Sequence, residues 1–224
     1  MRDTDGRGAG RGARRWTAGR AALVLLVVGL GTVVAGAVWL RAGYIVTVQA
    51  ADSMSPTYRQ GERIAAERID GDEVRAGDVV LFADPRWFPN GELAMKRVVG
   101  TGGDRVTCCA GDRVSVDGEP LSEPYVKDGD PVGGTGPSFD VTVPEGRLFL
   151  LGDHRANSHD SRFRLSDGRS GTVSADAVRG RLLDGGSAAE PLLPLATALL
   201  GAVLTLVGGV LGAVALIRRR RTAG

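Results

Sequence analysis

The chain has 224 residues, 43% of them hydrophobic and 24% charged, with a formal net charge of +2. The apolar residues include two long uncharged runs, which excludes a purely soluble protein, and the excess basic charge is confined to the two ends, which argues against a nucleic-acid partner. Residues 1–20 carry +4 and Arg218 to Arg221 another +4, so everything between them sums to −6.

In chain order, residues 1–20 read as a disordered basic tail. Residues 21–40 carry no charge between Arg20 and Arg41 and reach the roughly 20 apolar residues that a transmembrane helix needs. A cleaved signal peptide would end at the passable small-residue site Val48-Gln49-Ala50. The uncharged core exceeds the roughly 7–15 residues of such peptides, so the run reads as an uncleaved anchor. Residues 41–190 read as β-rich. Tyr44 to Val48, Val79 to Phe82, Met95 to Val99, Arg113 to Val116 and Arg147 to Leu151 are short β-branched or aromatic runs separated by turn residues. Asp117-Gly118 predicts a hairpin. Asp84 to Gly91 holds two prolines and the adjacent Trp87 and Phe88. In an extended loop these rings cannot both face one core, which leaves two readings open, an ordinary turn packed on a satellite cluster and an aromatic loop dipping into the membrane interface. Residues 127–140, rich in Gly, Pro and Asp, read as a mobile excursion.

Residues 191–217 form the second uncharged run, and 218–224 a second basic tail. Arg-rich flanks stay cytoplasmic, so two spans place residues 41–190 outside the membrane with both termini inside. Gly201, Gly208, Gly209 and Gly212 permit a close helix–helix contact.

Cys108 and Cys109 are adjacent and are the only cysteines. A bridge between neighbours closes a tight ring; buried free thiols and an intermolecular link are also open. Two Cys and two His at these spacings make no metal site.

Of 28 basic residues only Lys96 and Lys127 are lysines. A position that keeps Lys in so Arg-rich a chain points to chemistry Arg cannot do, because a buried Lys can be neutral and act as a base. Lys96 lies within the apolar strand Leu93 to Val99; Lys127, beside Asp128, reads as a solvated charge. Ser53 lies in Asp52-Ser53-Met54-Ser55-Pro56-Thr57, and a polar segment, Gly152 to Arg162, follows Leu148 to Leu151. Taken singly, these are a strand lysine, a serine in a proline turn and a surface loop.

Together they resemble the type I signal peptidases, the membrane-bound serine–lysine proteases, including members from high-GC Gram-positive bacteria. Ser53-Met54-Ser55-Pro56-Thr57 matches the S-M-x-P-T nucleophile motif, and Met95 to Gly100 followed by Gly103-Asp104 the lysine motif. Gly152-Asp153 through Asn157-Ser158-His159-Asp160-Ser161-Arg162 matches the third motif, and Arg75 to Val80 resembles the strand motif between the first two. The resemblance covers roughly residues 44–185. It implies a mainly β, antiparallel-sheet catalytic domain outside the membrane, flanked by two transmembrane helices. It also implies an endopeptidase that removes signal peptides from secretory preproteins after an A-x-A-like site, without metal or nucleotide cofactor.

In that reading Ser53 is the nucleophile and Lys96 the general base. Ser158 orients the lysine, Asp160 and Arg162 pair to support the loop, and the Ser53 backbone N–H faces the oxyanion. Some relatives add a serine hydroxyl donor two positions before the nucleophile, where this chain has Ala51. His154 and Ala156 stand where the family often has Asn and Asp, and Tyr58 replaces Leu or Phe. One competing reading is a Ser-His-Asp site using His154 or His159. Another is a non-catalytic two-span membrane protein with an extracytoplasmic binding domain.

Overall fold

The structure is a computed structural model that describes residues 9–109, 113–134, 136–183 and 192–221. It divides into a pair of long helices and a β unit spanning residues 43–184.

The helices are α1 (Ala9–Gly43) and α2 (Leu192–Arg220). Each contains a stretch long and apolar enough to cross a membrane, Gly19–Gly43 and Leu193–Arg218. Large apolar side chains such as Leu23, Val27, Leu199 and Leu206 are exposed on the pair, as lipid-facing positions are. Where the helices meet, glycines bring backbone onto backbone. A Cβ on Gly29 would lie 2.6 Å from the Thr205 nitrogen, and one on Gly201 2.6 Å from the Val33 nitrogen. α1 begins at Ala9, so residues 9–20 are helical where the sequence suggested a tail without structure. The apolar run nucleates the helix, and Ala and Arg, both good helix formers, let it propagate backwards. Residues 1–8 of that tail and 222–224 of the C-terminal one lie outside the described residues.

The β unit holds β1 (Tyr44–Val48), β2 (Arg63–Glu67), β3 (Val79–Phe82), β4 (Ala94–Gly100), β5 (Arg105–Cys108), β6 (Val114–Val116), β7 (Glu119–Pro120), β8 (Phe139–Thr142), β9 (Arg147–Leu151), β10 (Val173–Ser174) and β11 (Val178–Leu182). One sheet has seven strands in the order β1-β2-β11-β3-β4-β9-β10, and a second has four in the order β7-β6-β5-β8. All recorded pairs are antiparallel. The mainly β, antiparallel class with an apolar helix toward each end is as the sequence predicts. Asp117 and Gly118, both at positive φ, turn β6 into β7 with Val116 opposite Glu119.

β3, β4 and β9 lie side by side within the larger sheet and are buried almost throughout, so their sequences read as continuous apolar runs. Val80, Phe82, Val98 and Leu150 pack in one cluster. Val79, Leu81 and Met95 pack in another with Met54. Val99, Phe149 and Leu151 join the small sheet's Val106, Val114 and Phe139.

Of the two readings of the Asp84–Gly91 loop the packed turn holds and the membrane-interface one is corrected, as is the mobile reading of residues 127–140. Trp87 is 4% exposed and belongs to the core. The loop is not extended: the backbone N–H groups of Trp87 and Phe88 both donate to the Asp84 carbonyl, and the Asp84 carboxylate accepts from Arg86. That turn aims both rings at Phe82, with centroids at 5.4 and 6.4 Å, and Arg164 covers Trp87. The described part of residues 127–140 is likewise tied down. The Asp130 carboxylate accepts backbone N–H bonds from Val132, Gly133 and Gly134, and two buried arginines hold the loop's carbonyls, Arg155 on Pro131 and Arg162 on Val132. Phe139 and Asp140 belong to β8. Cys108 and Cys109 are bonded to each other.

Candidate active site

Lys96 sits in the middle of β4, which is paired on one side to β3, with Val80 opposite Lys96, and on the other to β9. The backbone ladder therefore fixes its position. Lys96 is 5% exposed, and its Nζ lies 2.8 Å from the Oγ of Ser53, which is 7% exposed. Burial lowers the lysine pKa to about 8; Asp160 and Asp153 oppose that shift and Arg162 adds to it. Among the described residues, Lys96 supplies the side-chain hydrogen bond to Ser53 Oγ. His154 faces Asp52, and His159 stacks on Phe163 with centroids at 5.5 Å.

Ser53 lies in no strand. Its turn is pinned by the fully buried Met54, by Ser55 N–H donating to the Asp52 carbonyl, and by Tyr58 N–H donating to the Met54 carbonyl. Side chains from segment 152–162 complete the hold. Thr57 Oγ1 donates to Asp153 at 2.5 Å, and Arg97, next to Lys96 on β4, grips the same carboxylate through Nε and Nη2 at 2.9 and 2.7 Å. The Ser53 turn and the Lys96 strand are thus bridged by one buried carboxylate. Arg97 also lies over the Tyr125 ring, 3.9 Å from its centroid.

Segment 152–162 is held by a second buried pair. Arg162 donates to both Asp160 oxygens, from Nε at 2.8 Å and Nη2 at 2.9 Å, and Gly152 N–H donates to Asp160 Oδ2 at 3.1 Å. Arg155 pairs with Glu123 and donates to the Gly152 carbonyl. Ser158 Oγ is buried and has no hydrogen-bond partner among the described residues, so the predicted Ser158–Lys96 hydrogen bond is not formed here. It lies against Gly152: a Cβ there would sit 2.2 Å from Ser158 Oγ and 2.6 Å from the Ser53 carbonyl oxygen. Only glycine lets these two serines approach across it.

The structure thus brings Ser53 and Lys96 into contact and places Ser158, Asp160 and Arg162 beside them. Sequence reasoning assigned no role to Thr57, Arg97 or Asp153, although all three fall inside its motifs. Asp52 has no role in the sequence reading, His154 enters it only as a candidate of the competing triad, and Lys127 enters it as a solvated charge; Lys127 Nζ stands 3.8 Å from the Asp52 carboxylate. An ion pair reaching from residue 127 to residue 52 leaves no local pattern to read. Among the described residues, no group of three or more His, Cys, Asp or Glu side chains could hold a metal ion.

The family described as signal peptidase, peptidase S26, matches residues 20–183. A probable signal peptidase I-1 of Synechocystis is 35% identical over 120 residues, 49% of this chain and 57% of that protein. A probable signal peptidase I of Mycobacterium leprae is 26% identical over 215 residues, 70% of this chain and 72% of that one. A signal peptidase I crystal structure from Enterococcus faecalis aligns at 30% identity with a TM-score of 0.39, over 50% of this chain and 97% of that one. Since the family match spans most of its length, this chain belongs to the peptidase S26 signal peptidases.

Proposed function

We propose that this protein is a membrane-bound endopeptidase that removes signal peptides from secretory preproteins, with Ser53 as nucleophile and Lys96 as general base. The observation that carries the reading is the 2.8 Å contact between Lys96 Nζ and Ser53 Oγ, both withdrawn from water. Neutral Lys96 takes the Ser53 hydroxyl proton as Oγ attacks the carbonyl carbon of the scissile bond. The Ser53 backbone N–H faces the oxyanion. On collapse, the lysine ammonium gives its proton to the leaving amine, and water, deprotonated by the same lysine, then releases the acyl group from Ser53.

The family resemblance assigns Ser158 to orienting the lysine amine; its hydroxyl is buried beside the Ser53 backbone and has no hydrogen-bond partner among the described residues. Asp160 and Arg162 keep its segment in place. The family implies an A-x-A-like site, read by an extended substrate beside the residues before Ser53 and the strand carrying Lys96. Arg at both ends supports two bilayer spans with both termini cytoplasmic and residues 41–190 outside. Incubating purified full-length protein with a preprotein and locating the cut by mass spectrometry tests the activity. Cleavage after an Ala-x-Ala triplet that disappears in Ser53→Ala is the expected result; no cut, or a cut that survives in Ser53→Ala, overturns it.

A further inference from the structure

His154 grips the peptide units on both sides of Ser53. Its backbone N–H donates to the Ser53 carbonyl at 3.1 Å. Its imidazole Nδ1 lies 3.2 Å from the Asp52 carbonyl oxygen and 3.0 Å from Asp52 Oδ2. A carbonyl oxygen and an ionised carboxylate can only accept, so the hydrogen between them sits on Nδ1. The carboxylate fixes that tautomer and the ring's direction, and Lys127, 3.8 Å from the same oxygen, holds the carboxylate in turn.

The Asp52 carbonyl belongs to the same peptide unit as the Ser53 N–H. A peptide unit is planar and trans, so its C=O and N–H point in opposite directions, and fixing one fixes the other. A hydrogen bond to the oxygen also polarises the unit and makes its N–H a stronger donor. Ala51 has no hydroxyl to add a second donor, so the aim of this one N–H carries more of the oxyanion's stabilisation.

We infer that His154 is a positioning residue for the oxyanion site: its imidazole, held by Asp52, orients and polarises the Asp52–Ser53 peptide so that the Ser53 N–H meets the charge that develops on the scissile carbonyl. The inference rests on the peptidase reading above. It differs from a histidine triad because the imidazole acts on the peptide unit and moves no proton of Ser53.

The test uses full-length protein in detergent and a short soluble peptide containing an Ala-x-Ala site. Removing a whole oxyanion donor costs about 100- to 1,000-fold in kcat; mis-aiming one that remains should cost less, about 10- to 100-fold. His154→Ala is expected to lower kcat by that factor with KM within about twofold, in the range that mis-aiming predicts. His154→Asn, whose amide can donate where Nδ1 does, should recover most of the loss. His154→Phe, which keeps a ring without a donor, should not, and it is compared with Asn below both melting temperatures in case the alanine variant folds poorly. An unchanged kcat, a loss confined to KM, or an Asn variant no better than Phe overturns the inference while the wild type still cleaves. A wild type that cleaves nothing overturns the peptidase reading and this inference together.

Discussion

Lys96 and Ser53 touch, yet they are held in place by different means. Lys96 belongs to a strand with hydrogen-bonded neighbours on both sides, and its position follows from backbone register. Ser53 sits on a turn outside both sheets, and its position follows from side chains distant in sequence, such as the Thr57–Asp153 and Asp52–His154 contacts. The ladder protects Lys96 from most single substitutions, because backbone bonds survive side-chain changes. Ser53 depends on a buried polar network, in which losing one member leaves the others unsatisfied. Substitutions that act on one side and spare the other separate the two.

The largest effects come from the reacting groups. Ser53→Ala and Lys96→Arg should each lower kcat/KM by several orders of magnitude while leaving the protein folded, since Arg keeps the charge but cannot be a neutral base. Near wild-type turnover in Lys96→Arg would show that the lysine is not the base.

The next effect is pH dependence, and it belongs to the lysine side. With its pKa lowered to about 8 by burial, Lys96 is mostly protonated at neutral pH. Below about 8, kcat/KM should rise roughly tenfold per pH unit and then level off, as the neutral fraction does. Folding follows the same titration. Between about 8 and the ordinary value of 10.5, the unfolded chain holds a proton that the folded chain has released, so stability rises with pH across that window. Lys96→Met should abolish that slope; an unchanged slope would show that another group causes it.

On Ser53's side, Asp160→Asn should be among the most damaging single changes. It leaves Arg162, 2% exposed, without its counter-charge, and breaking a buried pair in this way costs about 3–5 kcal/mol. Asp160→Asn combined with Arg162→Met should be milder than Asp160→Asn alone, because no charge is then stranded. Chemical unfolding of the two variants measures the difference, and equal losses would mean the ion pair itself is not what holds segment 152–162.

The same division decides what could be read in advance. The expected strand runs Tyr44 to Val48, Val79 to Phe82 and Arg147 to Leu151 coincide with β1, β3 and β9, because local apolar patterning is what a sheet demands. β2, Arg63-Ile64-Ala65-Ala66-Glu67, gave too weak a pattern, with two alanines and a charge at each end. Ser53 and Lys96 were legible because each lies in a contiguous motif and lysine is scarce in this chain. The clasp around Ser53 was not. Thr57 meets Asp153 across 96 positions and Asp52 meets His154 across 102, and no short-range rule links them. The membrane-interface reading of the loop holding Trp87 and Phe88 fails for a related reason. The expectation assumed an extended backbone, and it was the Asp84-centred turn that brought both rings onto Phe82.

The smallest predicted effect tests how firmly the glycine-rich loop is locked onto Ser53's side. Gly133 and Gly134 both have positive φ, +72° and +69°. Alanine at either must accept the left-handed backbone, which costs about 1 kcal/mol. Only at Gly133 is there also an obstacle. A Cβ there would lie 2.5 Å from the Arg155 carbonyl carbon and 2.8 Å from the Ala156 nitrogen, whereas at Gly134 nothing lies within 4 Å. The obstruction is backbone and cannot rotate aside, so Gly133→Ala should cost about 1–3 kcal/mol beyond Gly134→Ala. The displaced backbone is that of Arg155, one residue after His154, so Gly133→Ala should also slow cleavage several-fold while Gly134→Ala leaves the rate unchanged. The comparison cancels the shared conformational strain and isolates the contact. If the two variants matched in both unfolding free energy and rate, the loop would only rest on segment 152–162, and the placement of Ser53 would owe nothing to it.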